Sequence, residues 1–572
     1  MAKRNQPMTK VVRSLAGILA SALALALPAC AQSGINQESN WPGAAPVDPD
    51  GAPLYLPDFS YAGYGFGLED LPDFAGAQII EVDAYGAQPG DGVDDSRAVL
   101  DAIAAAGQVD GPVVILFSPG RYQISEIIRI ERGNLVLRGM GQGEGGTELH
   151  FPRPLSMVDD AGAFEEIREY LLRYDKRQRV ADQNIDLLFS EYSWTGGFIW
   201  IQAPGTRAAS YLEERDQTPD KLTDVISGER GARIITVADT SRLSVGDALQ
   251  LQWFNREGED GPLLAEIYGE TELKIGSHHW TFADRPLVRQ TTRVTAITGN
   301  QVELGDPLLH SITGDIAAQL SAWVHLEHVG IEDLHFSFPN APSYGHHLEQ
   351  GFNAVYFTSV IDGWMRDIRF TNADSGVLSY NSANLTFESV RTEGARAAHY
   401  GVHLGNVHNV LVTDLVVANP VRHSLTFNTQ STRSVYQRAT VLNGSVLDQH
   451  AGSNHQNLFD QVTLHLSAER DTAGPFYNVW DGSGAGYWQP GHGQFNTTWN
   501  LEVVVEGGAE RSETVRLLGL AEGPAARLVG IHGNRPVSVD YRPVPHLSAV
   551  NELPDVQSLY EWQRTRRLAA AR

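Results

Sequence analysis

A group of acid–base and cationic side chains lies between residues 399 and 492. Those with side chains suited to catalysis are Tyr400, Arg422, His423, Asp448 and His450. Those suited to substrate binding are His399, His403, Asn428, His455, Asp460, Trp480, Asp481, Trp488 and His492. Six of the nineteen histidines fall between residues 399 and 455. This density favours a functional site, because titratable groups that converge in a groove are typical of active sites.

These residue types suit proton abstraction beside a carboxylate. Cleavage of a uronate glycoside by β-elimination needs a base for the C5 proton and a partner for the charge that develops on the carboxylate. His450 or His423 could be the base, and Arg422 the carboxylate partner. Tyr400 could donate the proton to the leaving group. Histidine and arginine outnumber paired acids in this stretch, which favours elimination.

Two other functions remain open. A glycoside hydrolase needs two carboxylates, one of them protonated, and Asp448, Asp460 and Asp481 could supply them. A non-catalytic carbohydrate-binding protein or adhesin would use glycine-separated aromatic rings such as Trp480 and Trp488, which can stack on the apolar faces of sugars. A single histidine on a β-bend is commonly structural, since buried polar groups are normally paired.

The second half of the chain is repetitive. Similar short segments begin at Ala354, Gly376, Gly401, Ser424 and Leu447, with spacings of 22, 25, 23 and 23 residues. Each is followed by a second short β segment, which predicts a solenoid whose coils stack only on their neighbours. Residues one coil apart then become lateral neighbours, roughly 4.8 Å from each other. This register places Asp448 and His450 beside Leu425 and Phe427.

A motif near the N-terminus carries a family resemblance. Asp83-Ala-Tyr-Gly-Ala-Gln-Pro-Gly-Asp-Gly-Val-Asp-Asp95 is followed by a helical stretch and by Val-Ile-Leu-Phe-Ser-Pro-Gly-Arg-Tyr122. Residues 79–150 thus resemble the first coils of the pectate-lyase-like right-handed parallel β-helix superfamily, which includes polygalacturonases, alginate C5-epimerases and phage tailspikes. Asp448-Gln-His450 resembles the Asp-x-His of alginate epimerases, although no tyrosine directly precedes it. The resemblance implies an all-β solenoid that acts on polysaccharides.

We expect the solenoid to carry added elements. A short N-terminal capping helix is predicted over residues 96–106, because apolar residues share one face and Gly107 can end it. The predicted organisation is a signal peptide (1–31), an extended arm (32–75), the β-helix (76–545) with a helical insertion (161–183) and a β-rich insertion (228–310), and a C-terminal cap (546–572).

The first residues are typical of a secretory leader. A basic start precedes the apolar stretch from Leu15 to Leu27, which is too short to span a bilayer. Ala29-Cys30-Ala31 fits a small-x-small cleavage site and predicts a secreted or periplasmic protein. The alternative is an outer-membrane lipoprotein in which Cys30 carries the lipid. No later segment is long and apolar enough for a transmembrane helix.

Composition limits the partners. The formal net charge of −26 disfavours nucleic acids and anionic membranes. Cys30 is the only cysteine, so the mature chain has no disulfide and no cysteine metal site. We expect a monomer that binds a polysaccharide and needs no cofactor. Calcium is an alternative, since carboxylates on coil edges can bind it. His346, His347 and Glu349 could also hold a metal, although their spacing matches no established motif.

Overall fold

The computed structural model describes residues 40–159, 169, 189–206, 220–256, 261–269, 283, 285–450, 452–482, 484, 491–519 and 523–571. The predicted signal peptide, including Cys30, lies outside the described residues. The predicted helical insertion at 161–183 also lies outside them, apart from Glu169.

Apart from short 3-10 helices, the described residues before the barrel form one α-helix and seven strands. Helix α1 spans Ser96–Ala106, and the strands are β1 (Gln78–Glu81), β2 (Val113–Leu116), β3 (Gly120–Gln123), β4 (Ile128–Ile130), β5 (Leu135–Arg138), β6 (Thr147–His150) and β7 (Ile199–Ile201). The helix predicted over residues 96–106 therefore forms. It buries Ala98, Val99, Ala102 and Ala106 against the core of the first coils.

The β-rich insertion is a closed antiparallel barrel. Its strands are β8 (Lys221–Gly228), β9 (Ile234–Val237), β10 (Ala248–Phe254), β11 (Pro286–Thr298), β12 (Gln301–Leu304) and β13 (Ala317–Ala322), and helix α2 (Pro262–Tyr268) lies between β10 and β11. The predicted bounds of 228–310 were too narrow, because they omitted most of β8 and all of β13. These two strands pair with each other and close the barrel.

The coils after the barrel contain the remaining elements. In chain order these are β14 (Leu326–Glu327), β15 (Val329–Ser337), β16 (Asn353–Thr358), β17 (Val360–Ile361), β18 (Trp364–Thr371), β19 (Ser375–Tyr380), β20 (Ser382–Ala383), β21 (Thr386–Glu393), β22 (Ala398–Gly405), β23 (Val407–His408), β24 (Leu411–Thr413), β25 (Val416–Val417), β26 (Val421–Asn428), β27 (Val435–Gln437), β28 (Thr440–Val441), β29 (Leu447–His450), β30 (Leu458–Ser467), β31 (Glu469–Asp471), β32 (Gly474–Asp481), β33 (Thr497–Gly507), β34 (Val515–Gly519), β35 (Arg527–Gly533), β36 (Val537–Asp540), β37 (His546–Val550) and helix α3 (Leu559–Ala571).

The coils that begin at β16 and β19 each contribute one strand to each of three parallel sheets. Strands β16, β17 and β18 form one coil, and β19, β20 and β21 form the next. We call the sheet that contains β16, β19, β22, β26, β29 and β32 the site sheet, the sheet that contains β18, β21, β30 and β33 the long sheet, and the sheet of β14, β17, β20 and β23 the short sheet. The strand that returns to each sheet is parallel to the one before it, and such crossovers are right-handed. The fold is the predicted right-handed parallel β-helix.

The barrel is anchored to the coils through a buried carboxylate. Asp306 accepts hydrogen bonds from His408 on the short sheet (2.7 Å) and from Arg433 on the following bend (3.2 Å). It also accepts bonds from Gln290 (2.9 Å) and Thr292 (2.6 Å) of the barrel itself. Asp306 and Arg433 are almost completely buried, so this ion pair joins the two parts of the molecule away from solvent.

The predicted C-terminal cap, residues 546–572, contains one strand and one helix. Its strand β37 continues the long sheet beside β35. Its helix α3 folds back across the outside of that sheet, where Leu559 and Tyr560 pack with Leu458 and Trp499. These outward side chains are apolar, and burying them is worth about 1.5–3 kcal/mol each. This explains why the helix lies along the side rather than over the end.

The N-terminal arm lies beside α3 and runs along the stack. Trp41 packs against Trp499 and His546 of the last coils. Further along, the Gly63 amide donates to Asn409 O (2.8 Å), and Tyr64 packs edge-on against Trp364 (5.6 Å). The described part of the arm therefore connects these coils with much earlier ones. Among the described residues, no helix is both long and apolar enough to cross a membrane.

Candidate active site

The site sheet turns a row of polar side chains outward. A Cβ at Gly401 would lie 3.5 Å from Val417, on the core side, and the next residue, Val402, is also in the core. Two consecutive residues therefore face inward, which breaks the usual alternation of a strand. This irregularity lets Tyr400 and its register partner His423 lie on the same side as residues further along their strands.

The predicted register was off by one residue in the coil that contains Asp448. Asp448 pairs with Thr426 rather than Leu425, and His450 pairs with Asn428 rather than Phe427. The step from Leu425 to its partner Leu447 is one residue shorter than the predicted spacing. Since a shift of one residue exchanges the two faces of a strand, the true register places Asp448 among outward polar groups.

Asp448 joins two histidines. Its Oδ2 lies 3.0 Å from His423 Nδ1, and its Oδ1 lies 3.4 Å from His450 Nδ1. The Thr426 hydroxyl donates a short hydrogen bond to the same carboxylate. Burial alone would raise the pKa of Asp448, but His450 and His423 hold that pKa well below its usual value. Asp448 is thus an ionised, fully buried carboxylate that orients both rings.

A second carboxylate–histidine pair lies one coil away. Glu349 precedes the site sheet, and its Oε1 lies 3.0 Å from His399 Nδ1. Its carboxylate accepts a hydrogen bond from the His347 amide (3.2 Å) and a short one from the Ser193 hydroxyl. Glu349 is therefore fixed before any ligand binds. From the sequence, Glu349, His346 and His347 were considered only as metal ligands and not as part of this site, because they lie on a loop outside the repeat.

Five imidazoles from three coils and this loop form one cluster. We call His346, His347, His399, His423 and His450, with Asp448 and Glu349, the imidazole cluster. The ring centroids of His346 and His399 are 4.7 Å apart, and those of His399 and His423 are 5.1 Å apart. Desolvation among the packed rings lowers the pKa of His346, although part of its surface is exposed, and lowers that of the half-buried His347 to about 4; neighbouring histidines add to the effect for His346. These rings are neutral at neutral pH.

The cluster opens to solvent on one side. His346 and Arg422 are exposed, and the His450 side chain is partly exposed. Asp481 lies beside Asp448 on the next strand and is also only partly buried. Burial raises the pKa of Asp481, and the charge on Asp448 raises it further. The exposed or partly exposed groups of this region therefore include an imidazole, a guanidinium and a carboxyl group whose pKa is raised.

Three of the predicted residues lie behind this opening. Tyr400 is fully buried between His399 and His423, and its hydroxyl lies 3.5 Å from Asn428 Nδ2. His403 is buried beside Tyr400, and burial lowers its pKa to about 3. Tyr400, His403 and Asn428 thus support the cluster from beneath, which is not where a polymer would make contact.

The structure does not bring the remaining predicted binding residues to the cluster. His455 and His492 lie on the bends beside the short sheet, where His455 Nε2 faces His310 Nε2 of the barrel (2.7 Å) and His492 faces Tyr541 (3.0 Å). Asp460 is on the long sheet and binds the first residues of α3. The Trp480 ring is in the core. These residues were predicted to join the cluster because they are close to it in sequence. Successive parts of one coil, however, belong to different sheets and face different sides of the solenoid. Trp488 lies outside the described residues.

Two groups in the cluster could hold a metal ion. The ligand atoms of His346, His347 and His399 lie within 4.8 Å of one another, and so do those of His423, Asp448 and His450. Both groups consist mainly of imidazoles. Calcium prefers six to eight oxygen ligands, so these residues suit a transition metal better than the calcium considered from the sequence.

Comparisons with known proteins were made for the whole chain. No protein-family model and no curated protein matches it. Among solved structures it is similar to the tailspike gp61 of Pseudomonas phage phi297 (TM-score 0.38, 13% identity, 81% of this chain and 76% of that chain). It is also similar to the A-module of the Azotobacter vinelandii mannuronan C-5 epimerase AlgE4 (0.34, 12%, 83% and 97%) and to an exopolygalacturonase from Thermotoga maritima (0.32, 8%, 83% and 93%). The function must therefore be argued from the residues of the cluster.

Proposed function

We propose that this protein is a polysaccharide lyase that cleaves a uronate-containing glycan by β-elimination outside the cytoplasm. The observation that carries the proposal is the buried Asp448 carboxylate between His423 and His450, at the side of the cluster that opens to solvent. The resemblance of residues 79–150 and of Asp448–His450 to polysaccharide-acting β-helix proteins supports this choice of substrate class.

His450 is the proposed base. Its Nδ1 faces Asp448, and a proton held there leaves the lone pair on Nε2, as in other carboxylate–histidine pairs. This lone pair would take the C5 proton of the uronate. The electrons of the C5–H bond form the C4–C5 double bond, and the C4–O bond breaks. The departing oxygen takes a proton, for which Asp481 is the proposed donor, because it is the neighbour of Asp448 on the next strand and its pKa is raised.

Arg422 is the proposed partner of the substrate carboxylate. It directly precedes His423 and is exposed, whereas His423 is buried. The enolate-like intermediate carries its charge on the uronate carboxylate, and a guanidinium can bind that group through two parallel hydrogen bonds. Tyr400, which had been the proposed proton donor, is better suited to positioning His423, because the two rings stack at 5.2 Å.

A glycoside hydrolase is the second candidate. Asp481 and Asp448 are register neighbours, and the raised pKa of the one and the lowered pKa of the other resemble an acid–base pair. Against this, Asp448 is fully buried and both of its oxygens face histidine nitrogens. A carboxylate in that position orients its neighbours and does not reach a sugar.

The test is a product assay on anionic and neutral polysaccharides. Elimination produces an unsaturated uronate that absorbs in the near ultraviolet, together with new reducing ends. Hydrolysis produces reducing ends without this absorbance, and an adhesin produces neither. We expect both signals on at least one uronate-containing glycan and neither on neutral glycans. Reducing ends without the absorbance would replace the proposal by the hydrolase, and binding without any product would replace it by the adhesin.

A further inference from the structure

One part of the imidazole cluster has no task in the proposed elimination. His346 and His347 come from the loop before the site sheet, and His399 comes from β22. The ligand atoms of these three rings lie within 4.8 Å of one another. His399 is almost completely buried, yet neither of its ring nitrogens makes a hydrogen bond within the described part of the chain. A buried polar group in this state is costly unless it binds something.

We propose that His346, His347 and His399 bind one divalent transition-metal ion of the zinc class. Three imidazoles with an open fourth position are the ligand set of catalytic zinc sites. A tetrahedral ion with metal–nitrogen bonds of about 2.0–2.1 Å needs its nitrogens about 3.4 Å apart, so small side-chain rotations would bring these three into place. Imidazole ligands favour zinc, copper and nickel over calcium or magnesium.

The surroundings of the three rings support metal binding. Histidines that bind metals usually direct the other ring nitrogen at a carboxylate, which fixes the ring and raises its basicity. His399 Nδ1 lies 3.0 Å from Glu349 Oε1. The angles of this contact are outside those of a hydrogen bond, but the carboxylate is where such a partner of a metal-bound ring would lie. The His347 ring packs against Trp194, with centroids 4.9 Å apart. His346 is exposed, which gives an ion a route in from solvent.

The fourth position of the ion would lie towards the proposed catalytic residues. His346 Nε2 is 3.3 Å from His423 Nε2, and His423 contacts Asp448 through its other nitrogen. An ion at this place could bind the uronate carboxylate together with Arg422. This role rests on the proposed function, whereas the binding of the ion does not.

Metal binding can be measured without any substrate. Untagged full-length protein is stripped with a chelator and titrated with Zn²⁺ against a coloured competing chelator, and Co²⁺ is added separately for its visible absorption. We expect one Zn²⁺ per chain, a Co²⁺ spectrum typical of low coordination number, and no displacement by excess Ca²⁺.

Variants identify the ligands. The exposed His346→Ala and the half-buried His347→Ala should fold, and each should weaken Zn²⁺ binding by more than the roughly 10- to 100-fold that loss of an outer partner costs. Glu349→Gln should weaken it within that range, with an unchanged thermal midpoint in the stripped protein. His465→Ala, a histidine paired with Glu506 on the long sheet, is the matched control and should bind as the wild type does.

Two results would overturn the inference. One is the absence of stoichiometric Zn²⁺ binding in the wild type. The other is Zn²⁺ binding that survives in His346→Ala and His347→Ala but is lost in His450→Ala. This result would place the ion between His423, Asp448 and His450. Neither result depends on cleavage, so a protein that binds Zn²⁺ but forms no unsaturated product would refute the proposed function alone.

Discussion

Asp448 is central to the chemistry proposed for the site sheet, because it fixes two rings with one buried charge. Its carboxylate lies 3.4 Å from Nδ1 of His450, and in the proposed mechanism a proton on that nitrogen leaves Nε2 to act as the base. Because the proposed base depends on one tautomer of His450, a substitution that changes the charge of its partner should affect activity even when the shape of the site is kept.

Replacing His450 by alanine tests the base directly. We expect His450→Ala to lower kcat for the unsaturated product by about 10²- to 10⁴-fold, the usual contribution of a general base. The measurement is the initial rate of near-ultraviolet absorbance on the best glycan found in the product assay. His465→Ala should retain the wild-type rate. A His450→Ala variant with full activity would exclude this residue as the base.

Part of the site was predictable from residue types. The concentration of histidines between residues 399 and 455, with the coil spacing, led to Tyr400, His423, Asp448 and His450 as neighbours. The partner of Asp448 was missed by one position, because the step from Leu425 to Leu447 is one residue shorter than the spacing from which the register was assigned. The neighbours of Glu349 could not be predicted, since its loop does not follow the repeat of the coils.

At the scale of single elements, helix α3 depends on Asp460. This buried carboxylate accepts the amide hydrogens of Leu559 and Tyr560 (both 3.1 Å) and the hydroxyl of Ser558 (2.6 Å). Carboxylates at this end of a helix stabilise it. Burial nevertheless raises the pKa of Asp460 to about 7.

The raised pKa of Asp460 predicts a pH-dependent stability. The folded state holds the proton of the Asp460 carboxyl group more tightly than the unfolded chain does. The stabilisation that this proton provides is therefore complete below pH about 3.8 and is lost as pH rises through about 7. The thermal midpoint of the wild type minus that of Asp460→Asn should therefore decrease as the pH rises from 4 to 7.

Asp414 is the matched control for this measurement. Hydrogen bonds from Arg438 lower its pKa, so its contribution is present above the usual carboxyl pKa and is lost at lower pH. The difference between the wild type and Asp414→Asn should change in the opposite direction. Parallel pH dependence in the two variants would contradict the assignment for Asp460.

The contact between barrel and coils predicts a second effect on stability. Asp306→Asn leaves the buried Arg433 without its carboxylate, and breaking a buried ion pair costs about 3–5 kcal/mol. We expect a loss of this size in the free energy of unfolding, measured by denaturant titration. Asp224→Asn removes an exposed partner of Lys221 in the same barrel and should cost at most about 1 kcal/mol. Equal losses would show that the buried pair has no special role.

For the whole molecule, the fold was easier to predict than the placement of its ends. Segments spaced by 22 to 25 residues from Ala354 onwards indicated the solenoid, because only stacked coils repeat apolar segments at that interval. The C-terminal segment was assigned to the open end, since its helical pattern shows an apolar face without showing what covers it. The outward apolar residues of the long sheet, such as Leu458 and Trp499, were the missing information.

Removing the C-terminal segment tests its lateral position. A chain that ends at Asp555 loses Leu559 and Tyr560 and exposes the apolar side chains beneath them. We expect a lower thermal midpoint and binding of a hydrophobic dye in the native state. Leu553→Ser alters an already exposed leucine and should change neither. A truncated chain with the wild-type midpoint and no dye binding would place the helix elsewhere.

The path of the arm has a consequence for biosynthesis. Trp41 precedes its partners Trp499 and His546 by most of the solenoid in the sequence, so it is synthesised well before them. The arm therefore leaves the ribosome before the surface that it packs against has been made. It can dock only after the coils that contain Trp499 and His546 have formed. Once it docks, the arm ties these coils to much earlier ones, so they cannot separate from the stack as freely as coils of an open repeat array do.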